Sequence, residues 1–82
     1  MQITMEKKFV EFDGKTLIIE LGIDNDWFGQ RDDYLHFATN WYIAGDRHHH
    51  EELYDLTNGG YIKAREGFGW LIVLAEKGIL EV

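Results

Sequence analysis

The dipeptide Asp13-Gly14 constrains the fold of this chain more than any other pair of residues. It separates two runs, residues 5–12 and 16–23, that read as strands, and Asp-Gly readily adopts the positive φ angles of a tight hairpin. In the second run Leu17, Ile19, Leu21 and Ile23 alternate along the sequence, so a strand here turns one apolar face towards a core. Two registers are compatible with this pattern. A two-residue turn sets Val10 opposite Leu17 and Lys7 opposite Glu20. A three-residue turn with a bulge at Gly14 instead sets Phe9 beside Leu17.

Asp24-Asn25-Asp26 ends the second strand, because these side chains bond their own backbone in turns. Residues 24–33 then read as a loop carrying Trp27 and Phe28. Residues 34–43 read as a third strand, with Leu35, Phe37, Trp41 and Ile43 on one face and Tyr34, His36, Asn40 and Tyr42 on the other. Gly45-Asp46 interrupts it. With Asp46 as N-cap and Asn58-Gly59 as a stop, the sequence predicts a helix over residues 47–57, with His49, Leu53 and Leu56 on one face. A helix this short is held by packing, so Leu53 and Leu56 are expected to be buried. Residues 61–66 and 70–76 read as further strands around a Gly67-Phe68-Gly69 turn. The second contains the unbroken apolar run Leu71-Ile72-Val73-Leu74 of a strand covered on both faces. Lys77-Gly78 turns the chain, and residues 79–82 read as a short edge strand. The expected class is α+β: a small, twisted antiparallel sheet of about five strands with one short helix, in the order β-β-β-α-β-β. That is also the element order of an OB-fold.

At 82 residues the chain is expected to be a single domain, 1–82, with a thin core supported by twelve aromatic residues. It has no cysteine, serine or proline, which excludes disulfides, thiolate metal sites and cysteine or serine nucleophiles. No window approaches the roughly 18 apolar residues of a membrane span. The N-terminus lacks the basic start and apolar core of a signal peptide, so the expected setting is cytoplasmic.

Charge is concentrated in the middle of the chain. Between residues 24 and 55 lie eight of the fifteen acidic residues (Asp24, Asp26, Asp32, Asp33, Asp46, Glu51, Glu52 and Asp55), against Arg31 and Arg47. Eight minus two gives six of the seven net negative charges. The same segment holds all four histidines and many of the aromatic residues. A net charge of −7 opposes direct binding to nucleic acid or to anionic membranes and favours basic partners.

Asp24, Asp26 and Gly29 match positions one, three and six of a calcium loop, but Phe28 and Leu35 occupy positions that require oxygen ligands. On the predicted helix His48 and Glu52 stand four residues apart, so they are metal-ligand candidates if His36 or one of the loop aspartates completes the set. Asp32, Asp33, His36 and Glu51 can act as acids or bases. No nucleophile, phosphate loop or oxyanion feature accompanies them, so no catalytic site and no cofactor are expected.

The expected function is therefore binding. Aromatic side chains bury large areas at low entropic cost, and acidic neighbours steer a basic partner. The expected contact residues are Asp24, Asp26, Trp27, Phe28, Asp32, Asp33, Tyr34, Tyr42, Glu51, Glu52 and Asp55. The expected partner is a basic nuclease or other nucleic-acid-binding protein whose nucleic-acid surface the acidic segment occupies. In size and charge the chain resembles phage-encoded anti-CRISPR and anti-restriction inhibitors, and bacterial immunity proteins that neutralise toxins. The alternatives are a metal- or small-ligand-binding domain around His48 and Glu52, and a homo-oligomer formed through an open sheet edge or the aromatic face of residues 34–43.

Overall fold

A computed structural model of the chain describes residues 3–24 and 36–80. Four strands are described: β1 (Ile3–Phe12), β2 (Lys15–Asp24), β3 (His36–Ile43) and β4 (His49–Asp55). They form an antiparallel meander in the order β1-β2-β3-β4, and a single helix, α1 (Gly60–Glu76), follows. The class is α+β.

The first hairpin has a two-residue turn, with Phe12 opposite Lys15, Val10 opposite Leu17 and Lys7 opposite Glu20. Asp13 and Gly14 both have positive φ, 52° and 75°, the conformation that lets the turn follow the twist of its strands. The bulge lies at the far end, between Thr4 and Glu6. Alternation then divides the sheet into two faces. Leu17, Ile19 and Leu21 of β2 are fully buried under α1, and Val10 and Phe12 of β1 with Phe37, Trp41 and Ile43 of β3 complete that layer. From the helix come Ala64, Phe68 and Ala75, with Leu71, Ile72 and Leu74 beside them.

Residues 47–57 are not a helix, because β4 occupies most of that stretch. Asp46 does accept a backbone hydrogen bond, from His48 N–H at 2.9 Å, but this closes a turn between strands and caps no helix. The polar run His49–Asp55 becomes a strand because β3 offers it partners. Tyr42 stacks on His49 (centroids 4.0 Å apart), Trp41 stacks on His50 (4.7 Å), and Phe37 stands opposite Tyr54. Leu53 is half-buried and Leu56 exposed, whereas the helix reading had both buried.

Residues 61–66 and 70–76 are not two strands but parts of one helix. The expected five strands are thus four among the described residues, in the order β-β-β-β-α, and the OB-like order is not formed. The apolar run that reads as a doubly covered strand is a helix with apolar residues on both faces, a pattern that periodicity separates poorly. Gly67 does not break the helix. It lies where a Cβ would collide with the Tyr54 hydroxyl, so glycine lets α1 pack closely against β4 there. Asn58 and Gly59, both with positive φ, precede α1 instead of ending a helix. Lys77-Gly78 ends it: Gly78 N–H donates to the Ala75 carbonyl and Ile79 N–H to the Leu74 carbonyl, both at 3.0 Å, in a Schellman arrangement. Ile79 and Leu80 follow without forming the expected edge strand.

Candidate functional site

The sheet face turned away from α1 carries a polar network assembled by register. Across the strands, Lys7, Glu20, Asn40 and Glu51 form one row, and Phe9, Ile18, Tyr42 and His49 the next. Two residues further along β2 stands Gly22, opposite Ala38 and Leu53, and then Asp24, opposite His36 and Asp55. Glu20, Asp24 and Asn40 are only 6%, 7% and 4% exposed, so this face buries polar groups at its centre.

Glu20 is the hub. Its carboxylate accepts from the Tyr42 hydroxyl at 2.6 Å and from Thr4 Oγ1 at 3.1 Å, and Lys7 Nζ lies 3.8 Å away. The short bond to Glu20 pushes the Tyr42 phenol up to about 12, with burial and the carboxylate's charge acting in the same direction. Asn40 Nδ2 lies 3.2 Å from His49 Nδ1, which ties β3 to the edge strand under the Tyr42–His49 stack. Glu51 lies on the exposed strand β4, yet its carboxyl is pushed up to about 7. Desolvation is the largest cause, followed by a hydrogen bond with Asp24 and the charge of that group. Asp24 and Glu51 sit on strands separated by β3, and the small Ala38 between them lets their side chains meet.

The structure therefore sorts the expected contact residues into groups. Asp24 is buried and hydrogen-bonded to Glu51, and the hydroxyl of half-buried Tyr42 is engaged by Glu20. Glu51, Glu52 and Asp55 are exposed on β4, the last strand of the described sheet. Alternation sends Glu51 and Asp55 to the network side and Glu52 to the helix side, where Glu52 Oε2 lies 3.4 Å from the Tyr54 hydroxyl. Asp26, Trp27, Phe28, Asp32, Asp33 and Tyr34 lie outside the described residues, as does Gly29 of the calcium-loop pattern.

The proposed metal set is not brought together. His48 precedes β4 and Glu52 lies within it, so at strand rise they are about 13 Å apart instead of one helical turn. His36 lies at the opposite end of the β3–β4 pairing from His48, across from Asp55. Among the described residues no group of three histidine or carboxylate side chains is arranged to hold a metal ion. Among the acid–base candidates, Glu51 pairs with Asn40 and His36 pairs with Asp55, so Glu51 and His36 are four positions apart along the β3–β4 ladder.

Sequence reasoning missed Glu20 and Asn40. The signal for Glu20 was a charged residue within an otherwise apolar strand, and two-residue turn pairing already placed Lys7 opposite it. The described helix is not long and apolar enough to cross a membrane. No protein-family model, no curated protein and no solved structure matches the chain.

Proposed function

We propose that this chain is an acidic protein-binding module that inhibits a basic, nucleic-acid-handling partner by occupying its nucleic-acid-binding surface. The observation that carries this reading is β4, an exposed strand at the end of the sheet that presents carboxylates on both of its faces. Asp55 projects on one side, beside Glu51 whose carboxyl is engaged by Asp24, and Glu52 on the other, within a chain of net charge −7. Lysine and arginine side chains that neutralise phosphates can pair with such carboxylates through the same charge-assisted hydrogen bonds. The network behind β4 supports the role by fixing the strand's position, so less ordering is required on binding. Inhibitors of the anti-CRISPR, anti-restriction and toxin-immunity kinds share this size and acidity.

The test is capture from a host lysate with the immobilised protein, alongside a Glu51→Gln, Glu52→Gln, Asp55→Asn variant. The expected result is one basic nucleic-acid-binding protein that is retained at low salt, released at high salt, displaced by DNA or RNA, and lost with the variant. Equal retention by the variant, or binding indifferent to salt and nucleic acid, would overturn the proposal.

A further inference from the structure

We propose that β4 receives an extended, basic segment of the partner as an added, antiparallel strand, which rests on the basic-partner reading above and says how the contact is made. The two outer strands of the described sheet, β1 and β4, differ as templates. β4 pairs with β3 through seven consecutive positions, from His49 opposite Tyr42 to Asp55 opposite His36, without a shift of register. At strand rise its seven residues make an unbroken edge about 24 Å long. Among the described residues no strand pairs with its other side, and His49, His50, Glu51 and Glu52 are exposed. Every second residue of such a strand turns its N–H and C=O away from the existing neighbour, so an incoming strand meets a row of donors and acceptors. β1 instead carries the bulge between Thr4 and Glu6 and the lysines Lys7 and Lys8, two devices that discourage pairing at an edge.

Charge selects the occupant. β4 holds three carboxyl groups, Glu51, Glu52 and Asp55, and no lysine or arginine. The cations nearest along the chain are Arg47, before the strand, and Lys63 of α1, which borders the same small cavity as Asp55. Glu52 lies on the helix side and Asp55 on the network side, beside Glu51 whose carboxyl is engaged by Asp24. A strand with basic side chains therefore meets a carboxylate whichever of its faces carries them. A second copy's β4, laid antiparallel, would set these carboxyl groups against one another, and like charges directly opposite destabilise a strand pair. A second copy's β1 brings Glu6 and Glu11 together with Lys7 and Lys8 and gains no net attraction. The edge is also ordered in advance. The Tyr42–His49 stack holds β4 from one face of the sheet and the Trp41–His50 stack from the other, which lowers the cost of adding a strand.

The probe is a synthetic peptide as long as β4, with lysine and valine alternating, added to the isotope-labelled full chain and followed by NMR. The expected result is slowed amide exchange at every second residue of β4 and no change along β1. A peptide N-methylated at alternate amides keeps one hydrogen-bonding edge and should still bind. One methylated at every amide keeps its charge but should bind about tenfold more weakly or worse. With glutamate in place of lysine the peptide should not bind the wild type, whereas the Glu52→Lys, Asp55→Lys variant should accept it. Circular dichroism establishes that the variant is folded. Absence of binding, equal binding by the fully methylated peptide, or protection along β1 would overturn strand addition. Should that happen while capture from lysate stays salt-sensitive and dependent on the β4 carboxyl groups, the inhibitor reading survives without it. Pairing of the peptide with β4 when no basic protein is captured would sink the inhibitor reading and leave the strand-accepting edge established.

Discussion

At the residue scale, Glu20 and Glu51 show how two carboxylates on one sheet face come to differ. Glu20 is nearly buried but has a full set of partners in Tyr42, Thr4 and Lys7. Replacing it with alanine leaves the Tyr42 hydroxyl without its acceptor, and the expected loss of stability is about 1–3 kcal/mol by chemical denaturation. The same substitution should bring the tyrosine back towards its ordinary titration range. Because the folded-state value, about 12, lies above the ordinary 10.0, Tyr42 stabilises the fold fully below pH 10 and loses that contribution as the pH rises through 12. Ultraviolet titration of Tyr42 in the wild type and in Glu20→Ala checks both statements.

At Glu51 partial desolvation of the carboxyl, and then the neighbouring Asp24 carboxyl, favour the protonated form. Its folded value of about 7 lies above the ordinary 4.5, so its stabilising contribution is complete below pH 4.5 and disappears as the pH rises through 7. Glu51→Gln keeps the hydrogen-bonding shape without the ionisation. The variant should therefore gain stability relative to the wild type as pH increases across that window. Melting temperatures of the two proteins at matched pH measure the difference, and parallel curves would refute the assignment.

At the element scale, α1 is a helix that local propensity alone argues against. Glycines at 67 and 69 each cost about 0.5–1 kcal/mol relative to alanine in a helix interior. Their surroundings make opposite predictions. Gly69 faces open space, so Gly69→Ala in dilute solution should stabilise the protein by about that amount. Gly67 lies against the Tyr54 hydroxyl, which a Cβ would displace, and Gly67→Ala should destabilise by about 1–3 kcal/mol despite its better helix propensity. Urea denaturation of the two variants decides whether packing or propensity governs each position. A similar contest explains β4. His49–Asp55 contains few strand formers, yet its rings find stacking partners already fixed on β3.

At the scale of the whole molecule, charge and fold are arranged separately. Acidic side chains dominate the sheet's outer strand, while the helix exterior is balanced. A chain of net charge −7 repels itself when compact, so raising salt from about 20 to about 200 mM should raise the melting temperature by a few degrees. The loss of ion pairs such as Lys7–Glu20 is smaller than this gain, because such pairs are individually weak near the surface. A melting temperature that falls with salt would show that attractive pairs dominate instead.

The sequence by itself determined the local features. Asp13-Gly14 specified the first hairpin, and the alternation of Leu17, Ile19 and Leu21 specified which face of β2 is buried. The pattern of residues 34–43 likewise placed Phe37, Trp41 and Ile43 towards the core, and the acidic balance was plain from composition. These signals are local because turn geometry and period-two alternation act within a few residues. The tertiary structure alone decided the identities of residues 47–57 and 60–76. Asp46 and Asn58-Gly59 suit a helix's ends as well as they suit turns, and Leu71-Ile72-Val73-Leu74 suits a covered strand as well as a helix. Contacts distant in sequence broke both ties: Tyr42 with His49 and Trp41 with His50 made β4 a strand, and the Tyr54 ring over Gly67 seated α1 against it. The same long-range pairing gathered Glu20, Asp24, Asn40 and Glu51 into one network, because neighbours across a sheet are set by register and not by distance along the chain.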